Sequence, residues 1–229
     1  MSKKFFIPLF FIIVFSSNLL PQTVGGSLLL GLPRGEFMDN VDRLGYGLQL
    51  HGTIWTPSKK LPFSLGLNIG YMIYGEEHEH RPLSYYIPDV YVEVDRNNSL
   101  ANFHVLFQIA PFFGTVRPYL EGLFGGSYIF TSTSVESEWN DETIFESTNY
   151  SDYAWSYGGG GGLLLLLDSS ERNQVFLDIK ARYLKGSEAT YLTEDDVEIN
   201  TTNGTVTYYP RLSETDVMSF HLGVVVYLF

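Results

Sequence analysis

Five stretches of this chain place an apolar side chain at every second position, a period that suits a half-buried β-strand and no helix. Leu44, Tyr46, Leu48, Leu50 and Ile54 alternate with Gly45, Gly47, Gln49, His51 and Thr53. Phe63, Leu65, Leu67, Ile69, Tyr71 and Ile73 alternate with Ser64, Gly66, Asn68 and Gly70. Phe103, Val105, Phe107 and Ile109 oppose Asn102, His104, Gln108 and Ala110; Leu120, Phe124, Tyr128 and Phe130 oppose Glu121, Gly125 and Ser127. Val175, Leu177, Ile179, Ala181 and Tyr183 oppose Gln174, Asp178, Lys180 and Arg182. Val24–Leu32, Tyr153–Leu167 and Val217–Phe229 are less regular strands, which makes eight in an all-β chain.

The polar faces raise the question of which side is inside. A soluble sandwich buries its apolar face, whereas a membrane barrel turns that face to lipid and keeps a polar lumen. The connections discriminate. Pro33–Arg43, Gly75–Ser99, Ser132–Asp152 and Lys185–Asp216 are long; Thr56–Pro62, Phe112–Val116 and Asp168–Asn173 are short, and the two kinds alternate strictly. The long ones carry 22 of the 26 acidic residues. This rhythm predicts an eight-stranded antiparallel transmembrane β-barrel with short periplasmic turns and long extracellular loops. The soluble alternative, a lipocalin-like calyx, calls for an apolar cavity, yet the face opposite the bulky residues carries Glu121, Asp178, Lys180 and Arg182.

The termini agree. Lys3 and Lys4 precede an apolar stretch, Phe5–Phe15, too short to cross a bilayer as a helix but suited to a signal peptide over 1–22, with the barrel domain over 23–229. The chain ends Tyr227-Leu228-Phe229. There it resembles bacterial outer-membrane barrels, whose last strand ends in Phe with an aromatic two residues earlier, and the resemblance implies an insertion signal at Tyr227 and Phe229. The whole has the look of the small eight-stranded family that includes the OmpA transmembrane domain, OmpX and OmpW, found in the outer membrane of Gram-negative-type bacteria. Trp55, Tyr71, Tyr128, Trp155 and Tyr227 are expected in the interfacial girdles.

The net charge of −12 argues against nucleic acid, since phosphate contacts need clustered Lys and Arg. With no cysteine there is no thiol chemistry or disulfide framework, and no cofactor is expected. Arg117, Glu121, Asp178, Lys180 and Arg182 are expected to form an ionic network in a lumen too narrow for a channel, with His51 and His104 as hydrogen-bonding neighbours. Gly158–Gly162 lacks the Lys-Ser/Thr of a phosphate loop and reads as relief of crowding on a strand. His78 and His80, among Glu76, Glu77 and Glu79, share a face of an extended segment and are candidate metal ligands; the plainer alternative is a solvated acidic loop. The acids Glu136, Glu138, Asp141, Glu142, Glu146 and Asp152 would attract divalent cations diffusely.

Ser219 and His221 share a face near the outer end of the last strand, with Asp216 and Glu214 close by, so His221 could deprotonate Ser219 if an acid orients it. Lipid-deacylating barrels of the PagL kind look similar, with the order of Ser and His reversed. Asn203-Gly204 signals a hairpin between Glu198–Thr202 and Thr205–Tyr209, and Val90, Val92 and Val94 alternate with Tyr91, Glu93 and Asp95. Sheet is therefore expected beyond the membrane, with edges able to take a partner's strand, as in OmpX. The leading functional expectation is a non-enzymatic, plugged barrel embedded in outer-membrane lipid and serving envelope integrity or surface interaction. The alternatives are a narrow pore or side-opening transporter of small hydrophobic compounds, and a lipid-modifying hydrolase.

Overall fold

The computed structural model describes residues 22–84, 87–111, 113–137, 143–200 and 205–228. The expected signal peptide and Phe229 lie outside these. Eight strands close into one antiparallel barrel: β1 (Thr23–Pro33), β2 (Gly45–Thr53), β3 (Phe63–Ser84), β4 (Ile87–Ile109), β5 (Val116–Ser137), β6 (Thr143–Ser169), β7 (Asn173–Gly186) and β12 (Val217–Leu228). Closure is made by β1, which pairs Thr23 with Tyr227 of β12 on one side and with Thr53 of β2 on the other.

Two of the expected long connections are strand. β3 and β4 stay paired from Phe63↔Ile109 up to Ser84↔Ile87, with irregularities after Ile73 and Pro82, and β5 and β6 stay paired from Val116↔Leu165 up to Glu136↔Thr143. The period-2 pattern fades there because lipid no longer lies against one side: the buried positions of the β4 extension are Val94, Arg96 and Asn98, a mixture of apolar and polar side chains. The fourth long connection folds back on itself. After β7, β8 (Glu188–Tyr191) pairs with β11 (Arg211–Glu214), and β9 (Val197–Asn200) pairs with β10 (Thr205–Tyr208). The β9–β10 register joins Asn200 to Thr205, so four residues connect the strands rather than the two of a tight Asn-Gly turn. Asn203 and Gly204 themselves lie outside the described residues.

The first long connection holds a short helix, α1 (Glu36–Asn40), which places Phe37 over the barrel mouth. Phe37, Tyr74 and Tyr191 are buried and meet edge to face at centroid distances of 5.4, 5.1 and 6.3 Å. Each such pair contributes about 1 kcal/mol beyond its buried area. Leu29, Met72, Leu100, Ile129 and Val217 pack with them in one cluster. Polar clasps hold this cap. Asn40 donates to the Tyr191 hydroxyl at 3.0 Å, which bonds Ser213 Oγ at 2.7 Å. Asp196 accepts from Thr193 N and Oγ1 at 2.9 and 2.7 Å and from Arg211 Nε at 2.9 Å. The Arg211 and Thr193 hydrogen bonds outweigh the cost of burying Asp196 and hold its carboxyl below the usual carboxylate range. Asp152 of β6, held low by backbone bonds from Thr190 and Tyr153, ties β8 to the wall.

Candidate functional site in the barrel lumen

The interior below the cap is polar, and its organisation follows from β6. Register sets Glu121 of β5 opposite Gly160, and Gly160 opposite Arg182 of β7. One step along, Tyr119, Gly162 and Lys180 line up in the same way, and one step the other way Leu123, Gly158 and Leu184 do so. The inward positions 158, 160 and 162 thus form a bare stripe across which side chains of β5 and β7 meet. A Cβ at Gly162 would come within 2.7 Å of Lys180 Cβ and 2.8 Å of Tyr119 Cε1; one at Gly160 would lie 2.8 Å from Arg182 Cγ.

Across that stripe Arg182 forks onto Glu121, with Nε on one carboxylate oxygen and Nη2 on the other at 2.9 Å. Its Nη1 reaches across the lumen to Gln49 Oε1 at 2.6 Å and Asn68 Oδ1 at 2.9 Å. Lys180 Nζ lies 2.9 Å from Asp178, which also accepts from the Tyr119 hydroxyl at 2.6 Å. These four charged side chains are at most 2% exposed and balance as two cations and two anions. Arg117 does not join them. It sits toward the short-turn end over the rings of Phe176, 4.5 Å from the centroid, and Tyr227, 5.7 Å, and donates to Gln174 Oε1 at 2.9 Å. Planar guanidinium prefers such faces when no carboxylate is in reach.

Sequence reasoning missed Gln49, Asn68 and Tyr119 as partners, and Phe37, Tyr74 and Tyr191 as the cap. Gln49 and Asn68 were visible as polar positions of alternating strands. Phe37 had only the signal of an apolar residue in an acidic connection. His51 and His104 do line the lumen, but neither ring nitrogen of His104 nor Nδ1 of His51 has a hydrogen-bond partner among the described residues.

Ser219 and His221 face inward, with Oγ 2.8 Å from Nε2, while Phe220, Leu222 and Val224 face out. The other ring nitrogen points at Ser27 Oγ, 3.5 Å away. Among the described residues no acid orients this ring: Asp216 is held by the Tyr183 hydroxyl at 2.6 Å and Gly186 N at 3.0 Å, and Glu214 faces Lys185 at 3.7 Å. Neither expected acid therefore completes a triad, and the pair lies away from any lipid ester outside the wall. The same parity turns Tyr227 into the lumen, 1% exposed, against the expectation that it joins a girdle. It packs on Phe176 with ring centroids 5.0 Å apart and planes tilted by 51°. Between Arg182, Ser219 and Met72 the free space is a cavity of about 20 Å³, room for a single water.

His78 and His80 share the outer face of the β3 extension but bind elsewhere. His78 pairs with Asp95 across the hairpin, whose hydrogen bond and charge raise its pKa, and His80 stacks on Tyr91 at 4.9 Å. Glu77 bonds Arg96 at 2.5 Å. Among the described residues no group of three or more His, Cys, Asp or Glu could hold a metal. The acid side chains at 136–146 lie outside the described ones.

The outer wall is the reverse of the lumen. Leu28, Leu48, Leu50, Ile69, Phe103, Leu120, Phe124 and Leu222 are all at least 52% exposed on it. Aromatics gather toward its two ends: Trp55 and Phe63 at the short turns, and Tyr71, Tyr128, Phe130, Tyr153 and Trp155 toward the long connections. No helix among the described residues is long and apolar enough to cross a membrane; the strands have the face that does. The chain is an eight-stranded β-barrel with a lipid-compatible outer wall and a polar lumen.

No family model and no curated protein matches the sequence. Solved structures with a similar course include Neisserial surface protein A, at 13% identity, TM-score 0.41, covering 90% of this chain and 96% of that one. Ail, the attachment invasion locus protein of Yersinia pestis, has 12% identity, TM-score 0.40 and coverage of 89% and 95%. A major outer membrane protein from Thermus thermophilus has 12% identity, TM-score 0.40 and coverage of 90% and 99%. At these scores the architecture rests on the register and wall chemistry of this chain.

Proposed function

We propose that this barrel is a non-enzymatic surface protein whose lumen serves stability and whose working part is the sheet it projects from the cell. The observation that carries the reading is the length of four adjacent strands. β3 to β6 have 22, 23, 22 and 27 residues, where a span takes about 10. Some ten residues of each therefore continue beyond the membrane, about 35 Å along the strand. On one side this sheet has an edge: β2 stops pairing with β3 at Tyr46↔Ile73, and above it, among the described residues, β3 has β4 as its strand partner, with the Glu76 N–H at the start of the edge donated to Glu194 Oε1 at 3.2 Å. An open edge offers backbone N–H and C=O groups to an extended segment of a partner. The packed lumen supports the same reading, because the Arg182–Glu121 and Lys180–Asp178 pairs occupy it and the space beside Arg182 is about 20 Å³.

The test is a variant in which Gly75 and Asn98, which face each other across the hairpin, are joined by an Asn-Gly turn. Cells displaying it should keep the heat-dependent gel shift of a folded barrel and lose attachment to surfaces or to other cells. Unchanged attachment, or discrete conductance steps from the wild-type protein in planar bilayers, would overturn the proposal.

A further inference from the structure

The barrel wall is interrupted at the feet of β4 and β5. These strands pair only as far as Ile109↔Leu120. Below that point β5 from Val116 to Tyr119 pairs with β6 alone, while the N–H of Ala110 turns the other way, to Pro62 O at 3.0 Å. Pro111 and Pro118 stand where the ladder would continue, and neither has an N–H to donate. The strands splay and leave a groove of about 340 Å³. Its lips, Ile109 and Leu120, are lipid-facing, and its floor is Ala110 and Tyr119, which belong to the lumen packing.

Charge marks the same spot. The protein is strongly acidic, yet the turn that ends at Pro62 carries Lys59 and Lys60 and no acid. Both lysines are exposed, and neither is ion-paired among the described residues. Of the other two short turns, the one at 110–115 has no charge, and the one at 168–173 has two acids against Arg172. A groove that is apolar within the membrane, with two cations on the turn that leads into its Pro62 lip, matches one kind of molecule. We infer that it holds an acyl chain of an anionic phospholipid from the periplasmic leaflet, with Lys59 and Lys60 on the phosphate. The occupant follows from the groove's depth in the bilayer and the sign of its rim; a free anion would not use the apolar floor. The inference rests on the membrane orientation and not on the projected sheet, so either proposal can fail alone.

Native mass spectrometry of the detergent-solubilised barrel, given equal palmitoyl-oleoyl phosphatidylglycerol and phosphatidylethanolamine, tests it. One phosphatidylglycerol per barrel should be retained preferentially. Lys59→Gln with Lys60→Gln should lower that retention on the order of tenfold, leaving phosphatidylethanolamine unchanged. Ile109→Trp, at a lipid-facing lip where extra bulk is tolerated, should fill the groove and reduce both lipids. Arg172→Gln, on another short turn, should change neither, and the gel shift reports folding of every variant. Equal retention of the two lipids by the wild type would overturn the inference. So would lysine-dependent binding that Ile109→Trp leaves intact, which would mean surface adsorption only.

Discussion

Removing Glu121 should show how strongly the lumen holds the barrel together. Arg182 is 2% exposed at its side chain and makes four hydrogen bonds, two of them to Glu121. Glu121→Leu leaves the guanidinium buried with only the neutral oxygens of Gln49 and Asn68. Breaking one partner of a buried pair costs about 3–5 kcal/mol, which agrees with losing two charge-assisted bonds at about 1.5–3 kcal/mol each. Arg182→Met should cost a similar amount, because the carboxylate is then left buried. The double variant Glu121→Leu with Arg182→Met removes both charges and leaves Gln49 donating to Asn68 at 2.5 Å. Its cost should drop to that of the orphaned Gln49 oxygen, about 1–3 kcal/mol. Reversible urea unfolding in phospholipid vesicles, followed by tryptophan fluorescence, measures all four proteins. Additive single-variant losses, with no coupling between the two sites, would refute the account of Arg182 and Glu121 as one buried unit.

Gly160→Ala should destabilise by about 1–3 kcal/mol in the same assay, since its Cβ would press on the Ala181 carbonyl and on Arg182 Cγ at 2.8 Å, whereas Gly122→Ala, with nothing within 4 Å, should stay within about 0.5 kcal/mol. The cap has an acid-sensitive clasp. Because the Asp196 carboxyl is held below its ordinary value, its contribution is present above about pH 3.9 and is lost as pH falls through the lower folded pKa. Asp196→Ala should release Arg211 at neutral pH and make the chain after Arg211 a fast trypsin site in intact cells, and cleavage as slow as in the wild type would contradict the clasp.

The five alternating strands could be read from the chain because one face of each meets lipid and the other a packed lumen, and that contrast is written in every second residue. Leu48 against Gln49 and Ile179 against Lys180 are examples. The last strand carries two conflicting local signals: Tyr227 at the chain end fits one phase, and Phe220, Leu222 and Val224 fit the other. Pairing decided it, because β12 is locked between β1 and β7 and Ser219 sits opposite Arg182. Projection of the sheet was legible through Val90, Val92 and Val94, but its extent was not. Beyond the membrane no lipid demands an apolar face, and a run such as Glu76-Glu77-His78-Glu79 has no apolar side to betray a strand.

Composition, alternation and the rhythm of long and short connections determine by themselves that this chain makes an inverted β-barrel with eight strands. They do so because lipid and lumen impose opposite chemistries on neighbouring residues. They also determine which charges enter the lumen, since parity along a strand assigns each residue a side. Only the tertiary structure decides who meets whom. Strand register, fixed by the closure of the ring, puts Gly160 between Glu121 and Arg182 and so converts a run of glycines into the passage across which an ion pair forms. It is also the folding of α1 and β8 over the mouth that turns Phe37, Tyr74 and Tyr191, far apart in the chain, into a cap.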